Sequence, residues 1–300
     1  ASTLSADGGE LSVKGRFNPR EQSYDAAIRA DSFPLNGFLP ADSLGIVDLA
    51  LQARGTGFDP LLPRTRTSLR AQIGRAEFGG RDFGGIELDA ELDSQRLSGR
   101  ISDRDEALRL LLSVSGTLTE REQRIGLSGS VFGFDLAALG VSPEPIGGSF
   151  ALDASASAAG KGAYAARIAL DSIEIRNKHR TDRIRPTSVS LHTDSAATRA
   201  EAASGDLSLT FSTPQSSDSL IAALTRSART LAGQIDAQSI DMEQLKPALP
   251  DFALRVSAGP DNILNSLLKS RKIAFDALNA EGANCDSLPV SIRLRTEGLA

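Results

Sequence analysis

The chain has 300 residues, a formal net charge of −5, 40% hydrophobic residues and only 5% aromatic ones, with no Trp. The acidic balance argues against a general nucleic-acid binder, which needs a basic face to neutralise phosphates. The single cysteine, Cys285, excludes an intramolecular disulfide and zinc sites built on paired cysteines, and no run approaches the ~18 apolar residues of a membrane-spanning helix.

Along the chain the dominant signal is apolar/polar alternation with period 2, the mark of half-buried strands. Leu11, Val13, Gly15 and Phe17 pair naturally with Tyr24, Ala26, Ile28 and Ala30 across a turn at Asn18-Pro19-Arg20-Glu21. Ile86, Leu88, Ala90 and Leu92 share one strand face; Glu87, Asp89, Glu91 and Asp93 share the other. Leu108, Leu110, Leu112, Val114, Gly116 and Leu118 repeat the pattern, with Arg109, Ser113, Ser115 and Thr117 opposite. Beyond the turn at Thr119-Glu120-Arg121-Glu122 come Ile125, Leu127, Gly129 and Val131, then Phe150, Leu152, Ala154 and Ala156. Gly160-Lys161-Gly162 breaks the next pair, and Leu207, Leu209 and Phe211 continue the series. About 17 such strands with short connections imply antiparallel hairpins.

Two stretches in the last third carry helical spacing. Residues 219–231 present Leu220, Ala223, Leu224, Ala228 and Leu231, with Asp218 or Ser219 as the cap. Residues 261–272 present Ile263, Leu264, Leu267 and Leu268, with Asp261 as the cap and Lys269, Arg271 and Lys272 suiting the C-terminal end. A loose repeat recurs about every hundred residues: a strand end, a short apolar turn, a Pro and a new strand. Its instances are Phe33-Pro34-Leu35, Phe134-Asp135-Leu136 and Ile240-Asp241-Met242.

The predicted fold is therefore mainly β: a long curled antiparallel sheet, an open trough or β-taco, with two short helices in the last third. The chain reads as one elongated β-groove segment, 1–300, of a longer protein, with weak repeat units at about 1–100, 101–205 and 206–300. Two short helices cannot cover so many one-sided strands, and a few hundred Å² of exposed apolar surface costs several kcal/mol at ~25 cal/mol per Å². The sheet must fold over on itself as a sandwich, a barrel or a curled trough. If the trough stays open, its lining is Ile86, Leu88, Leu92, Leu110, Leu112, Val114, Ile125, Leu127, Val131, Phe150 and Leu152, which matches acyl chains in polarity. A dry, self-packed core is the alternative.

Catalytic chemistry has no foothold. His179 lies in the basic loop Asn177-Lys178-His179-Arg180, a poor setting for a general base, and His192 falls on a polar strand face. Ser266-Leu267-Leu268-Lys269 matches Ser-x-x-Lys without its companion motifs. Glu87, Asp89, Glu91 and Asp93 form an acidic row that serves solubility at an exposed strand, although paired carboxylates also hold calcium. Arg176, Lys178, His179, Arg180, Arg183 and Arg185 form the one basic cluster, a solvated hairpin or a contact for lipid phosphates. No enzyme, cofactor or metal site is expected.

From Ile240 to Asp276 the order of features is distinctive: Ile240-Asp241, Leu245-Lys246, Leu249-Pro250, Leu254, Val256-Ser257, Gly259, Asp261-Asn262, Leu268-Lys269, Ile273 and Phe275-Asp276. This order resembles the TamB family of translocation and assembly factors, relatives of AsmA. The resemblance implies a periplasmic protein of a Gram-negative bacterium, anchored in the inner membrane by a segment outside this chain. It implies a β-taco groove and an outer-membrane barrel partner met through a region not present here. The implied work is outer-membrane biogenesis, as a conduit for phospholipid acyl chains or in outer-membrane protein assembly and secretion, without catalytic residues. The competing expectation is a structural β-sandwich or solenoid surface or passenger protein with a dry core.

Overall fold

A computed structural model describes residues 2–6, 8–35, 44–78, 81–160, 162–223, 225, 250–270, 275–285 and 288–297. The chain is mainly β, as the alternation predicts: 69% of it is strand, in an antiparallel sheet that does not close on itself, with two short helices late in the chain. Nineteen strands occur among the described residues, where about 17 are expected from the pattern. The chain divides into two compact units, residues 1–155 with 172–183, and residues 156–171 with 184–300.

Unit 1 is a ladder of consecutive neighbours. It runs β1 (Ser2–Ala6), β2 (Gly9–Asn18), β3 (Ser23–Pro34), β4 (Leu44–Thr56), β5 (Arg66–Phe78), a three-residue β6 (Arg81–Phe83), β7 (Ile86–Asp93), β8 (Arg96–Arg104), β9 (Leu108–Leu118) and β10 (Glu122–Asp135). Each main strand pairs antiparallel with the next, β5 pairing with β7 past the short β6. The expected register of the first hairpin holds, with Leu11 opposite Ala30, Val13 opposite Ile28 and Phe17 opposite Tyr24. Its turn closes through Asn18, whose Oδ1 accepts the backbone N–H groups of Arg20 and Glu21. The β9–β10 turn closes likewise, with Thr119 N–H donating to Glu122 O at 3.0 Å.

Two bulges explain residues that break the period. Between Ala30 and Phe33 the register slips, Ser32 takes φ +48°, and Phe33 comes to lie opposite Val47 on the same side as Ala30. Phe33, Ala30 and Val47 form a buried cluster with Leu11, Leu35 and Leu49 against it. The second slip, between Val131 and Gly133, sets Phe134 opposite Leu108 and leaves Phe132 facing solvent. Asp171-Ser172-Ile173 repeats the Asp31-Ser32-Phe33 pattern, with Ser172 at φ +51° and Ile173 buried. After Phe134 the expected apolar turn forms: Asp135 Oδ1 accepts from Ala137 N–H at 2.8 Å, Leu139 N–H donates to Asp135 O at 2.9 Å, and Arg81 caps it by donating to the carbonyls of Ala137 and Ala138. The third instance, at Ile240, lies outside the described residues.

Strands β11 (Gly147–Ala159) and β12 (Ala163–Arg176) follow, then β13 (Thr181–Ile184). The ladder of unit 2 joins β12, over Tyr164 to Leu170, to β14 (Thr187–Thr193), β15 (Thr198–Ser204), β16 (Leu207–Thr213), β17 (Phe252–Ala258), β18 (Ala277–Cys285) and β19 (Leu288–Glu297).

The two helices of unit 2 close opposite ends of one strand face. Helix α1 covers residues 217–223; the rest of the expected 219–231 segment beyond 225 lies outside the described residues. Its cap is Ser216 rather than the expected Asp218 or Ser219: Ser219 N–H donates to Ser216 Oγ and Leu220 N–H to Ser216 O. The start is fixed from the sheet, because Thr193 Oγ1 accepts Ser217 N–H at 3.1 Å and Thr198 Oγ1 donates to Gln215 O at 2.8 Å. Helix α2 (Ile263–Ser270) falls within the expected 261–272, whose last two residues lie outside the described ones, and is capped by Asn262, not Asp261. Asn262 Oδ1 accepts Asn265 N–H at 2.9 Å, while the carboxylate of Asp261 is taken by Arg185 at 2.6 Å.

Candidate functional site

In an antiparallel ladder directly opposite residues share a face, so the registers read as rows across the strands. In unit 1 one row is Leu69–Ala90–Gly99–Val114–Leu127 and the next is Ala71–Leu88–Ile101–Leu112–Gly129. On one side lies Thr67–Leu92–Leu97–Gly116–Ile125; on the other lie the pair Ile73–Ile86 and the row Asp103–Leu110–Val131. Nine of the expected lining residues, Ile86, Leu88, Leu92, Leu110, Leu112, Val114, Ile125, Leu127 and Val131, therefore share one apolar face. Phe150 packs on Phe134, its ring centroid 6.0 Å away, and so joins that face; Leu152 lies two residues on and points the same way.

Among the described residues of unit 1 no helix covers this face, and it is sheltered rather than sealed. One rim carries the turns at residues 19–22, 94–95 and 119–121; the other carries the chain reversals at 105–107 and 136–146. Leu112 and Val131, toward the second rim, are 8% and 6% exposed, whereas Ile125, at the first rim, is 45% exposed. Along β2 exposure rises the same way, from half-buried Leu11 to Phe17 at 57%. The apolar face is thus better packed toward the second rim and more exposed, at Phe17 and Ile125, along the first.

The opposite face is a charge lattice. Arg66 pairs with Asp93 at 2.8 Å, Arg70 with Asp89 at 3.0 Å and Arg54 with Asp25 at 3.2 Å. Across the other side of β7, Arg96 lies opposite Asp93 and Arg100 opposite Asp89. The acidic row at Glu87–Asp93 is thus flanked by arginines on both neighbouring strands, and the hydrogen bond from Arg66 holds the Asp93 carboxyl below its ordinary range. Two apolar side chains interrupt the lattice, Leu111 and Phe132, both exposed. The alternation conceals Leu111 because it sits inside a run of three leucines.

The basic cluster is partly self-paired. Arg180 meets Asp182 at 2.7 Å, and Asn177 Oδ1 accepts the N–H groups of His179 and Arg180, closing the hairpin between β12 and β13. His192 is exposed on the polar face, opposite Arg199. The Ser266 hydroxyl donates to Asn262 O at 2.9 Å, an ordinary helical bond one turn back. Among the described residues no group of three or more His, Cys, Asp or Glu side chains is placed to hold a metal, and no helix is long and apolar enough to cross a membrane.

Comparison with protein-family models, with curated proteins and with solved structures finds no match. Gly259, Asp261, Asn262 and Phe275 have a physical role in unit 2. Asp206 accepts Asp261 N–H at 2.9 Å and Asn262 Nδ2 at 2.6 Å. Burial pushes the Asp206 carboxyl up, but these bonds outweigh it and hold the group below its ordinary range. Asn262 Nδ2 also donates to Gly259 O, and buried Asn265 donates to Pro260 O and Phe275 O. Gly259, Asp261-Asn262 and Phe275 are thus the parts of a latch that fastens α2 to the sheet.

Sequence reasoning missed one further group, the rings of Phe17, Tyr24 and Phe58. Pairing brings Phe17 and Tyr24 together, but Phe58 lies in a connection with no periodicity, and its only sequence signal is an aromatic residue in a chain poor in them.

Proposed function

We propose that this chain is a scaffold or conduit segment that shields phospholipid acyl chains on its aliphatic face, working in outer-membrane biogenesis in the periplasm of a Gram-negative bacterium. It acts without catalysis, tethered to the inner membrane through a segment outside these residues, as in the TamB family it resembles. The observation that carries the reading is the unsealed apolar face of unit 1. Among the described residues of unit 1 the buried large apolar side chains are few, Phe33, Val47, Leu112, Val131 and Ile173, and Val13, Phe17 and Ile125 stand more than 40% exposed on the apolar face. A dry core would hide them, since each few hundred Å² left in water costs several kcal/mol at ~25 cal/mol per Å². Lipid tails remove that cost without demanding a single hydrogen bond.

The test places a photo-crosslinker in turn at each position from Leu110 to Leu118 in cells. Phospholipid should be captured at alternate positions only: at Leu110, Leu112, Val114, Gly116 and Leu118, and not at Leu111, Ser113, Ser115 or Thr117. Leu111 is the stringent control, being apolar and 40% exposed on the polar face. Capture at no position, or at Leu111 as readily as at Leu112, would overturn the reading; capture of polypeptide with the same alternation would replace lipid with unfolded barrel protein as cargo.

A further inference from the structure

We infer that the first, more exposed rim of unit 1 carries a seat for one straight hydrocarbon chain, built by Phe17, Tyr24 and Phe58 beside a cavity of about 320 Å³. The inference rests on the lipid reading above and locates where a tail is held.

The seat is preset by the backbone. Tyr24 crosses over Gly55 to reach Thr67, its hydroxyl 2.7 Å from Thr67 Oγ1; a Cβ at position 55 would come within 2.6 Å of that hydroxyl. Gly57, at φ +76°, turns the chain out of β4, and a Cβ there would lie 2.7 Å from Thr65 Oγ1. This turn delivers Phe58 onto Tyr24, with centroids 5.4 Å apart and planes 18° from parallel; Phe17 tilts against Phe58 at 5.6 Å. The loop between β4 and β5 is pinned at several points. Gly57 N–H donates to Gln22 O at 2.9 Å, Thr65 N–H to Leu62 O at 3.0 Å and Ser94 N–H to Thr65 O at 3.3 Å, while the Gln95 amide donates to Leu61 O. Ser94 and Gln95 reach it from the β7–β8 turn, where both have positive φ. Despite this fixing, Phe58 remains 63% exposed.

The cavity beside these rings is lined by Tyr24, Phe58, Leu69, Ala90, Leu92 and Leu97 among its apolar members. Its hydroxyls are already engaged: Thr67 with Tyr24, and Thr65 donating to Asp59 O. Glu91, the one charged residue of the lining, belongs to the polar side of β7, and most of the surface a ligand would meet is hydrocarbon. The volume is at the small end for ligand pockets and admits a narrow molecule rather than a strand or helix of a partner. Ala90 is also part of the row that continues through Gly99 and Val114, so a chain seated here can extend along the apolar face.

The chain contains no Trp, so Phe58→Trp introduces the only indole. The full chain is titrated with stearate brominated at mid-chain, which quenches indole on contact, and in a second arm with a phospholipid carrying brominated tails. Saturable quenching in either arm, several-fold stronger than for Phe132→Trp on the polar face, is the expected result; the arm that quenches at the lower concentration tells a free fatty acid from a diacyl lipid. A third variant, Ile125→Trp, reports the apolar face away from the seat. Quenching of Ile125→Trp with none of Phe58→Trp overturns the seat and leaves the lipid reading standing; no quenching in any variant overturns both. Ala90→Leu, which fills the cavity, should weaken quenching of Phe58→Trp at least fivefold with an unchanged circular dichroism spectrum, and an unchanged affinity would overturn the seat.

Discussion

Asp103 is the residue least at home in its surroundings. It stands in the same row as Leu110 and Val131 and is 6% exposed. Burial pushes its carboxyl above the ordinary range, opposed by bonds from the backbone N–H groups of Asp105 and Arg104; the one to Asp105 measures 2.8 Å. A raised acid binds its proton more tightly when folded than when unfolded. The contribution of this group to stability is therefore greatest in acid, declines as pH rises from the ordinary Asp pKa through the raised one, then stays level; Asp93 and Asp206, whose carboxyls are held low, act in the opposite sense. Asp103→Asn keeps the Oδ1 acceptor and removes the charge. It should raise the melting temperature at neutral pH and flatten the acid-side dependence; a lowered melting temperature at neutral pH would mean that the charge itself is needed. Nothing in the sequence marks Asp103, because its row position depends on the register of two hairpins. The lining residues were legible for the opposite reason: a strand's period is fixed by backbone geometry, so Leu88 and Leu112 declare their face without their partners being known.

Among elements, the helices show where local reading runs out. Residues 216–219 read Ser-Ser-Asp-Ser, and every one is a competent cap. The choice of Ser216 is made by Thr193, at the end of β14, through its bond to Ser217 N–H 24 residues further along the chain. For α2 the choice between Asp261 and Asn262 is made by Arg185 and Asp206, which claim the one and orient the other. The bulges escaped for the same reason, since Phe33 and Phe134 stand out of phase with the strands they end. Removing the α2 latch should be costly. Asn262→Ala deletes a cap and the buried donors to Asp206 and Gly259, for about 2–3 kcal/mol. Denaturant titration checks the magnitude, and faster hydrogen exchange confined to residues 263–270 and their neighbours on β17 checks the location. A loss below half a kcal/mol would show that packing, not the latch, holds the helix.

At the level of the whole molecule, the strand order of unit 1 follows the chain order, and that has a consequence for how the protein melts and how it can change. Among the described residues of β1 to β10 every ladder pairing joins a strand to the next along the chain, save that β5 also pairs with β7 past the short β6. Such a molecule behaves as a one-dimensional stack, with stability a sum of units and nearest-neighbour interfaces. Opening can begin at any weak interface and need not spread. Denaturation of unit 1 followed at separate positions should thus give non-coincident transitions; a single shared midpoint would contradict the stack picture. The same modularity makes length a free variable. Excising residues 86–104, the β7–β8 hairpin, brings β5 beside β9 in antiparallel sense, with the apolar residues of each still on one side. Natural selection can lengthen or shorten a chain of this kind two strands at a time, and any position that keeps its side of the sheet can drift in identity. A protein so built preserves a pattern long after it has lost its words.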